Sequence, residues 1–323
     1  MGIKNKVKSG VTLLLFMYLA YKVDWIQAGK IIANIRLLPF VLSYCILLLS
    51  FIPLALRLSV LLQPTALQFS LKRLVEIQFI SQFYGMLLPS GIGLAVVRWY
   101  KITQNRSGRR VFVVVTIIER VMLVLTLALC AAVPLFFVKD ESLQGLRGSV
   151  LPVLSLIILV CLLFFAIFFS PWMYGKFSLF MQSIQSKFNI YWMKQILGIY
   201  EDFGLYLNKQ HLLSRSFFFH LIFHALIFVR FYLVFTSLDI DLPPVTILWI
   251  SMLVLLILSL PITLGGLGVR EAGFAWFFTL YDIGPERGVV LGGLLSVQLL
   301  FNQGIGGLLS LAESKLKGKG QDS

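Results

Sequence analysis

The side chains that could do chemistry here are charged residues set inside long apolar stretches or at their edges: Arg57, Glu76, Arg98, Glu119, Arg120, Arg215, Arg230, Arg270 and Glu271. Near the middle of a membrane helix such a charge costs on the order of 2.5–3.5 kcal/mol or more, so it needs a partner, a watery cavity or a ligand. A guanidinium can grip two oxygens of a phosphate at once, and a carboxylate can hold it in place when the ligand is away. Sequence neighbours cannot do this for each other. Glu119 and Arg120, like Arg270 and Glu271, point about 100° apart around a helix. Their partners must come from other segments, and the expected substrate-binding set is Arg57, Arg98, Glu119, Arg120, Arg270 and Glu271, meeting in one central cavity.

Plainer roles compete. Arg57 is close enough to a helix end to snorkel, Arg98 could anchor at the cytoplasmic surface as Arg215 should, and Glu119 with Arg120 could serve only to hold helices together. His220 and His224 in "HLIFH" have a spacing able to bind metal, but no carboxylate or Cys lies near them, so a polar helix–helix contact is expected and no metal. Gln298, Asn302 and Gln303 form a polar stripe that either joins helices or lines the cavity. Cys45, Cys130 and Cys161 sit in apolar runs, where packing is their expected role. No Ser-His-Asp grouping, P-loop or dinucleotide fingerprint is present, so no catalytic residue, cofactor or enzymatic activity is expected.

Two stretches must position the charged residues: "LLPSGIGLAVVRWYK" (87–101) and "SLPITLGGLGVREAG" (259–273). In each, Leu-Pro is followed by small residues and then an Arg, and Pro89 to Arg98 spans the same separation as Pro261 to Arg270. Pro89, Gly91 and Gly93 break the first stretch; Pro261, Gly265, Gly266 and Gly268 break the second. Irregular backbone at membrane depth survives only where protein or a cavity covers it.

The composition places these breaks in a membrane. Apolar residues make up 59% of the 323 and charged residues 13%, well outside the range of soluble domains. The net charge of +14 suits anionic headgroups at an inner surface and makes nucleic acid an unsuitable partner. The runs do not alternate with a period of two, so helices are expected and a barrel is not. One transmembrane domain over 1–323 is predicted, with spans near 11–23, 37–63, 111–138, 150–169, 212–237 and 289–312. Basic loops fix orientation. Lys4, Lys6 and Lys8 place the N-terminus in the cytoplasm, and Lys315, Lys317 and Lys319 place the C-terminus there. Lys72, Arg73 and the run "RWYKITQNRSGRR" fall on that same side, so 74–97 must enter the membrane and return. The segment 244–283 does the same from outside, and 170–210 is an amphipathic stretch on the inner surface. The fold class is an all-α polytopic helical bundle with two re-entrant hairpins in an inverted-topology repeat, in the plasma (inner) membrane.

These motifs resemble a known family. "LPITLGGLGVRE", "LLPSGIGLAVVR", "IIERV" and "ALRLSVLL" around Arg57 are similar to the flippase-like family of the lysylphosphatidylglycerol synthase transmembrane region, over nearly the whole chain. The resemblance implies movement of polar or charged lipids between leaflets. It also implies a stand-alone member, because the chain ends shortly after Ala312 where bifunctional members continue into an aminoacyl transferase domain. The sequence departs from the family at Leu94-Ala95-Val96-Val97 and Val121-Met122-Leu123-Val124, where members often carry an acidic residue; the cavity is then more positive. The leading expectation is a flippase or scramblase-like protein for a lipid with a phosphate-bearing headgroup. A carrier for a small soluble anion or coupled ion, and a non-transporting scaffold for a lipid- or glycan-modifying enzyme, remain as alternatives. A lipid-synthesis enzyme is a candidate partner, and oligomeric state is left open.

Overall fold

The computed structural model describes Met17, Tyr21 and residues 23–87, 93–104, 108–137, 144–188, 191–260 and 266–319. The expected span 11–23 lies almost wholly outside these residues, as do the break residues Pro89, Gly91, Pro261 and Gly265. Among the described residues all regular structure is helical.

Helix α1 (Trp25–Ala33) begins at Asp24, whose carboxylate accepts the N–H groups of Ile26 and Gln27 at 2.9 and 3.1 Å. Helices α2 (Leu37–Leu49) and α3 (Phe51–Leu62) run through Ser50 as one apolar span of 26 residues. Next come α4 (Leu71–Leu87) and α5 (Gly93–Thr103), which flank the first break, and the long α6 (Arg109–Phe137). Helices α7 (Gln144–Phe169), α8 (Pro171–Phe188) and α9 (Tyr191–Phe203) lead to the long α10 (Gln210–Ser237). The second break lies between α11 (Pro244–Leu258) and α12 (Val269–Leu280), and α13 (Pro285–Lys319) follows.

Five helical stretches among the described residues are long and apolar enough to cross a membrane: Leu37–Leu62, Arg109–Phe137, Gly145–Phe169, Gln210–Ser237 and Pro285–Ser314. The chain is therefore a multi-pass membrane protein. The helices beside the breaks are shorter. At 1.5 Å per residue, α11 spans about 22 Å, α12 about 18 Å and α5 about 16 Å, all less than a hydrocarbon core of about 30 Å.

Each break joins two helices that fold back on one another. On the first hairpin, a Cβ added to Gly85 would lie 2.9 Å from the Leu94 backbone nitrogen, so α4 and α5 touch there. Their outer ends meet on one carboxylate, Glu313, to which Arg73 and Lys101 both donate at 2.9 Å. On the second hairpin, Gly273 faces Val254, and Trp249 meets Phe277 edge-on at 5.2 Å, an antiparallel match of α11 with α12.

Helix α13 is the spine for both. Gly288 and Gly292, one turn apart, leave room for α12: a Cβ on them would lie 2.5 Å from Ala275 Cα and 2.8 Å from Glu271 Cα. This is the small-xxx-small contact by which membrane helices approach closely. Near the other end, Gly306 lies against the Phe79 backbone and Gly307 against the Phe83 ring of α4. The outer end of the first hairpin thus sits at Glu313, while the second runs through Tyr281–Gly284 directly into Pro285. About 42 Å of helix separates the two.

The packing is reciprocal. Helix α4 packs on α13, the span that follows the second hairpin, and α11 packs on α6, the span that follows the first. The two preceding spans, α2–α3 and α10, pack on each other. Helix α6 serves two cores: Phe112 to Met122 pack with α3 and α4, and Leu127 to Leu135 with α10 to α13. Over the expected amphipathic stretch 170–210, Tyr174 stacks on Tyr200, and Arg110 ties α9 to α6 through Asp202 at 2.8 Å.

Candidate functional site

The first polar centre is built on α6. The Glu119 Oε1 accepts from Arg57 Nη2 on α3 at 2.7 Å, and Oε2 accepts from Arg98 Nη2 on α5. Arg57 Nη1 also donates to His220 Nδ1 on α10 at 2.5 Å. Arginine has no acceptor, so His220 must be neutral with its proton on Nε2. His224 Nδ1, one turn on, donates to the His220 carbonyl at 2.9 Å. The phenol of Tyr206, pushed up by burial and then by the Glu119 carboxylate, stays protonated and donates to the Leu61 carbonyl at 2.7 Å. Two guanidiniums thus share one carboxylate in a buried place, and the Nε groups of Arg57 and Arg98 have no partner among the described residues.

The second centre lies at the start of α12. Glu271 stands in its first turn, and its Oε2 accepts the Gly268 N–H at 2.8 Å. Its Oε1 accepts from the Ser296 hydroxyl on α13 at 2.8 Å, and that hydroxyl accepts from Arg270 Nη1 at 2.6 Å. Arg270 and Glu271 are therefore joined through a serine and not directly. Arg230 on α10 donates through Nε to Gln298 Oε1 at 2.8 Å, and Gln298 Nε2 donates to Ser43 Oγ on α2 at 2.6 Å. Gly266 and Gly268, with φ of 79° and 81°, form the turn before α12 in a conformation an L side chain resists.

Arg57, Arg98, Glu119, Arg230, Arg270 and Glu271 are each between 4% and 8% exposed, too buried to be surface anchors. Arg120 is exposed and donates to the Ser259 carbonyl at the end of α11. A cation is favoured there because the last carbonyls of a helix carry partial negative charge. Adjacent on α6, Glu119 reaches the first hairpin and Arg120 the second.

The six residues expected to share one cavity are therefore distributed. Arg57, Arg98 and Glu119 form one centre, Arg270 and Glu271 belong to another, and Arg120 is in neither. The reason lies in α10, whose polar rungs His220 and Arg230 are ten residues apart, about 15 Å along the axis. Among the described residues no hydrogen bond or ion pair joins the centres. Gly93 is buried as the first residue of α5. Of the polar stripe, Gln298 joins three helices, while the Asn302 amide is buried without a partner among the described residues. Sequence reasoning gave no role to Arg230 or Ser296. For Arg230 the signal was present, a lone cation in the apolar run "FHALIFVRFYLVF".

Fold and site together define a class: a helical, multi-pass membrane protein whose two helical hairpins each bring one arginine into a buried polar centre. The family of the lysylphosphatidylglycerol synthase TM region matches residues 6–301, and the chain belongs to it. That family places the protein in lipid-related processes at a membrane. No curated protein and no solved structure matches the chain.

Proposed function

We propose that this protein moves a polar or anionic lipid headgroup across the bilayer, with its arginine centres as the polar path while the acyl tails stay in the hydrocarbon. The observation that carries this reading is the parallel make-up of the centres. In each, one Arg comes from the span before a hairpin (Arg57, Arg230), another from the hairpin's second arm (Arg98, Arg270), and their polar partners from the span after it (Glu119; Ser296 and Gln298). Each centre holds two guanidiniums and one carboxylate, an excess of positive charge that a phosphate would neutralise.

The hairpin positions fit the path. Their outer ends lie at opposite ends of α13, so one hairpin would open toward the cytoplasm and the other toward the outside of the plasma membrane, as in inverted-repeat transporters. Both termini are then cytoplasmic. The protein acts as a carrier of a phosphate-bearing lipid and not as a catalyst.

The test uses purified protein in liposomes carrying fluorescent phosphatidylglycerol, with dithionite quenching from outside. The reading expects a headgroup exchange that protein-free liposomes lack and that Arg270→Ala abolishes while folding stays normal. Wild-type liposomes indistinguishable from empty ones would leave the scaffold alternative in its place.

A further inference from the structure

Resting on the carrier reading, we infer that the second centre is the phosphate receptor, formed by Arg230 and Arg270, and that Ser296 keeps it open. In the first centre both guanidiniums already bond directly to Glu119. A phosphate would have to displace that carboxylate. In the second, Glu271 is occupied on one oxygen by the Gly268 N–H and on the other by the Ser296 hydroxyl. Both arginines are left with neutral acceptors, Ser296 for Arg270 and Gln298 with the Leu295 carbonyl for Arg230.

Among the described residues the Arg270 guanidinium makes its one hydrogen bond through Nη1. Its Nη2 faces Gly266, where an added Cβ would come within 3.7 Å. Gly266 and Gly268 bring no side chain of their own to that guanidinium edge, where the Leu258 side chain is the apolar neighbour. Arg230 is 5% exposed and has no carboxylate partner among the described residues. Arg230 and Arg270 lie close enough for their charges to repel one another, and a tetrahedral oxyanion reaching both relieves that repulsion. The ligand chemistry is a phosphate group, from either a lipid phosphodiester or free phosphate.

Ser296 sets the arrangement. Its hydroxyl accepts from Arg270 while donating to Glu271, which holds the guanidinium off the carboxylate. Without it, Arg270 would close on Glu271 and lose its affinity for a second anion. Threonine keeps the hydroxyl and alanine does not.

The experiment titrates the purified full chain in detergent with dioctanoyl phosphatidylglycerol by calorimetry, with inorganic phosphate as competitor, after gel filtration of every variant. Arg230→Gln and Arg270→Gln should each weaken binding by roughly tenfold or more, the loss of a charge-assisted hydrogen bond. Ser296→Ala should weaken it while Ser296→Thr retains it, and Arg215→Gln should match wild type. If the arginine variants do not fold, the Ser296 pair, which changes no charge, still decides. Displacement by inorganic phosphate identifies a free-anion receptor; its absence identifies a lipid receptor. Unchanged affinity in Arg230→Gln and Arg270→Gln, equal binding by Ser296→Ala and Ser296→Thr, or a larger loss in Arg57→Gln would each overturn the inference. Liposome transfer that persists in Arg230→Gln, with Arg270→Ala still inactive, removes this receptor and leaves the carrier reading. Binding with the expected pattern but no transfer does the reverse.

Discussion

The two centres use the same three charges differently. At Glu119 the carboxylate is the hub, with a guanidinium on each oxygen and a neutral histidine behind one of them. At Glu271 the carboxylate serves its own helix, accepting the Gly268 N–H at the turn into α12, and meets Arg270 only through Ser296. Identical charge therefore gives a carboxylate held between two arginines in one place and arginines on neutral acceptors in the other. What separates them is where the carboxylate sits: on the following span it faces both arginines, whereas inside the hairpin it is consumed by the local turn.

The sharpest way to break this comparison is to neutralise each carboxylate. Glu119→Gln leaves Arg57 and Arg98 buried against one another, and a loss of about 3–5 kcal/mol is expected, as for any buried pair deprived of one partner. Glu271→Gln should cost about 1–2 kcal/mol, because a carboxamide oxygen still accepts the Gly268 N–H. Thermal unfolding of both variants in one detergent measures the difference. Equal losses would mean that the centres are not distinct.

A smaller effect is expected at the spine. Gly288→Ala or Gly292→Ala would push a methyl into the α12 backbone and should destabilise by about 1–3 kcal/mol, whereas Gly293, which faces open space, should accept Ala without loss. Similar melting of the Gly288 and Gly293 variants would show that α12 does not depend on this contact. The smallest effect belongs to Arg120→Ala, which removes a cation from the end of α11 at about 0.3–1 kcal/mol. Faster hydrogen exchange near Ser259, with α5 unaffected, is the expected readout. Faster exchange in α5 instead would contradict the assignment of Arg120 to the second hairpin.

The spans were legible because length and apolarity alone determine whether a helix can cross a bilayer; the runs at 37–63, 111–138 and 212–237 reappear as helices with nearly those limits. Leu-Pro and clustered glycine, which cannot continue a helix, led to the expectation of a break in each stretch; α4 ends at Leu87 and α11 at Leu258, and Pro89 and Pro261 lie outside the described residues. Which charge meets which was not, since Arg57 and Glu119 are 62 positions apart and Arg230 and Gln298 are 68, and pairing at that range depends on helix order in the bundle. Expecting one cavity came from the rule that none of these charges can be neutralised by its sequence neighbour, which requires partners on other segments and does not require that all of them meet in one place. Arg98 stands in the second turn of α5, bonded directly to Glu119, whereas Arg270 stands in the first turn of α12, bonded to a serine. The spine contact was written in the sequence as "GVVLG", and its meaning emerged only with a partner helix to fill the gap.

The account depends most on the two hairpins opening to opposite sides of the membrane. Single cysteines at Gln104, after the first hairpin, and at Ile283, after the second, in a chain with Cys45, Cys130 and Cys161 replaced, report this directly through a membrane-impermeant maleimide applied to intact cells and to inverted vesicles. The account predicts that the cysteine at 104 reacts only from the cytoplasmic side and the one at 283 only from outside. Labelling of both from the same side would contradict it.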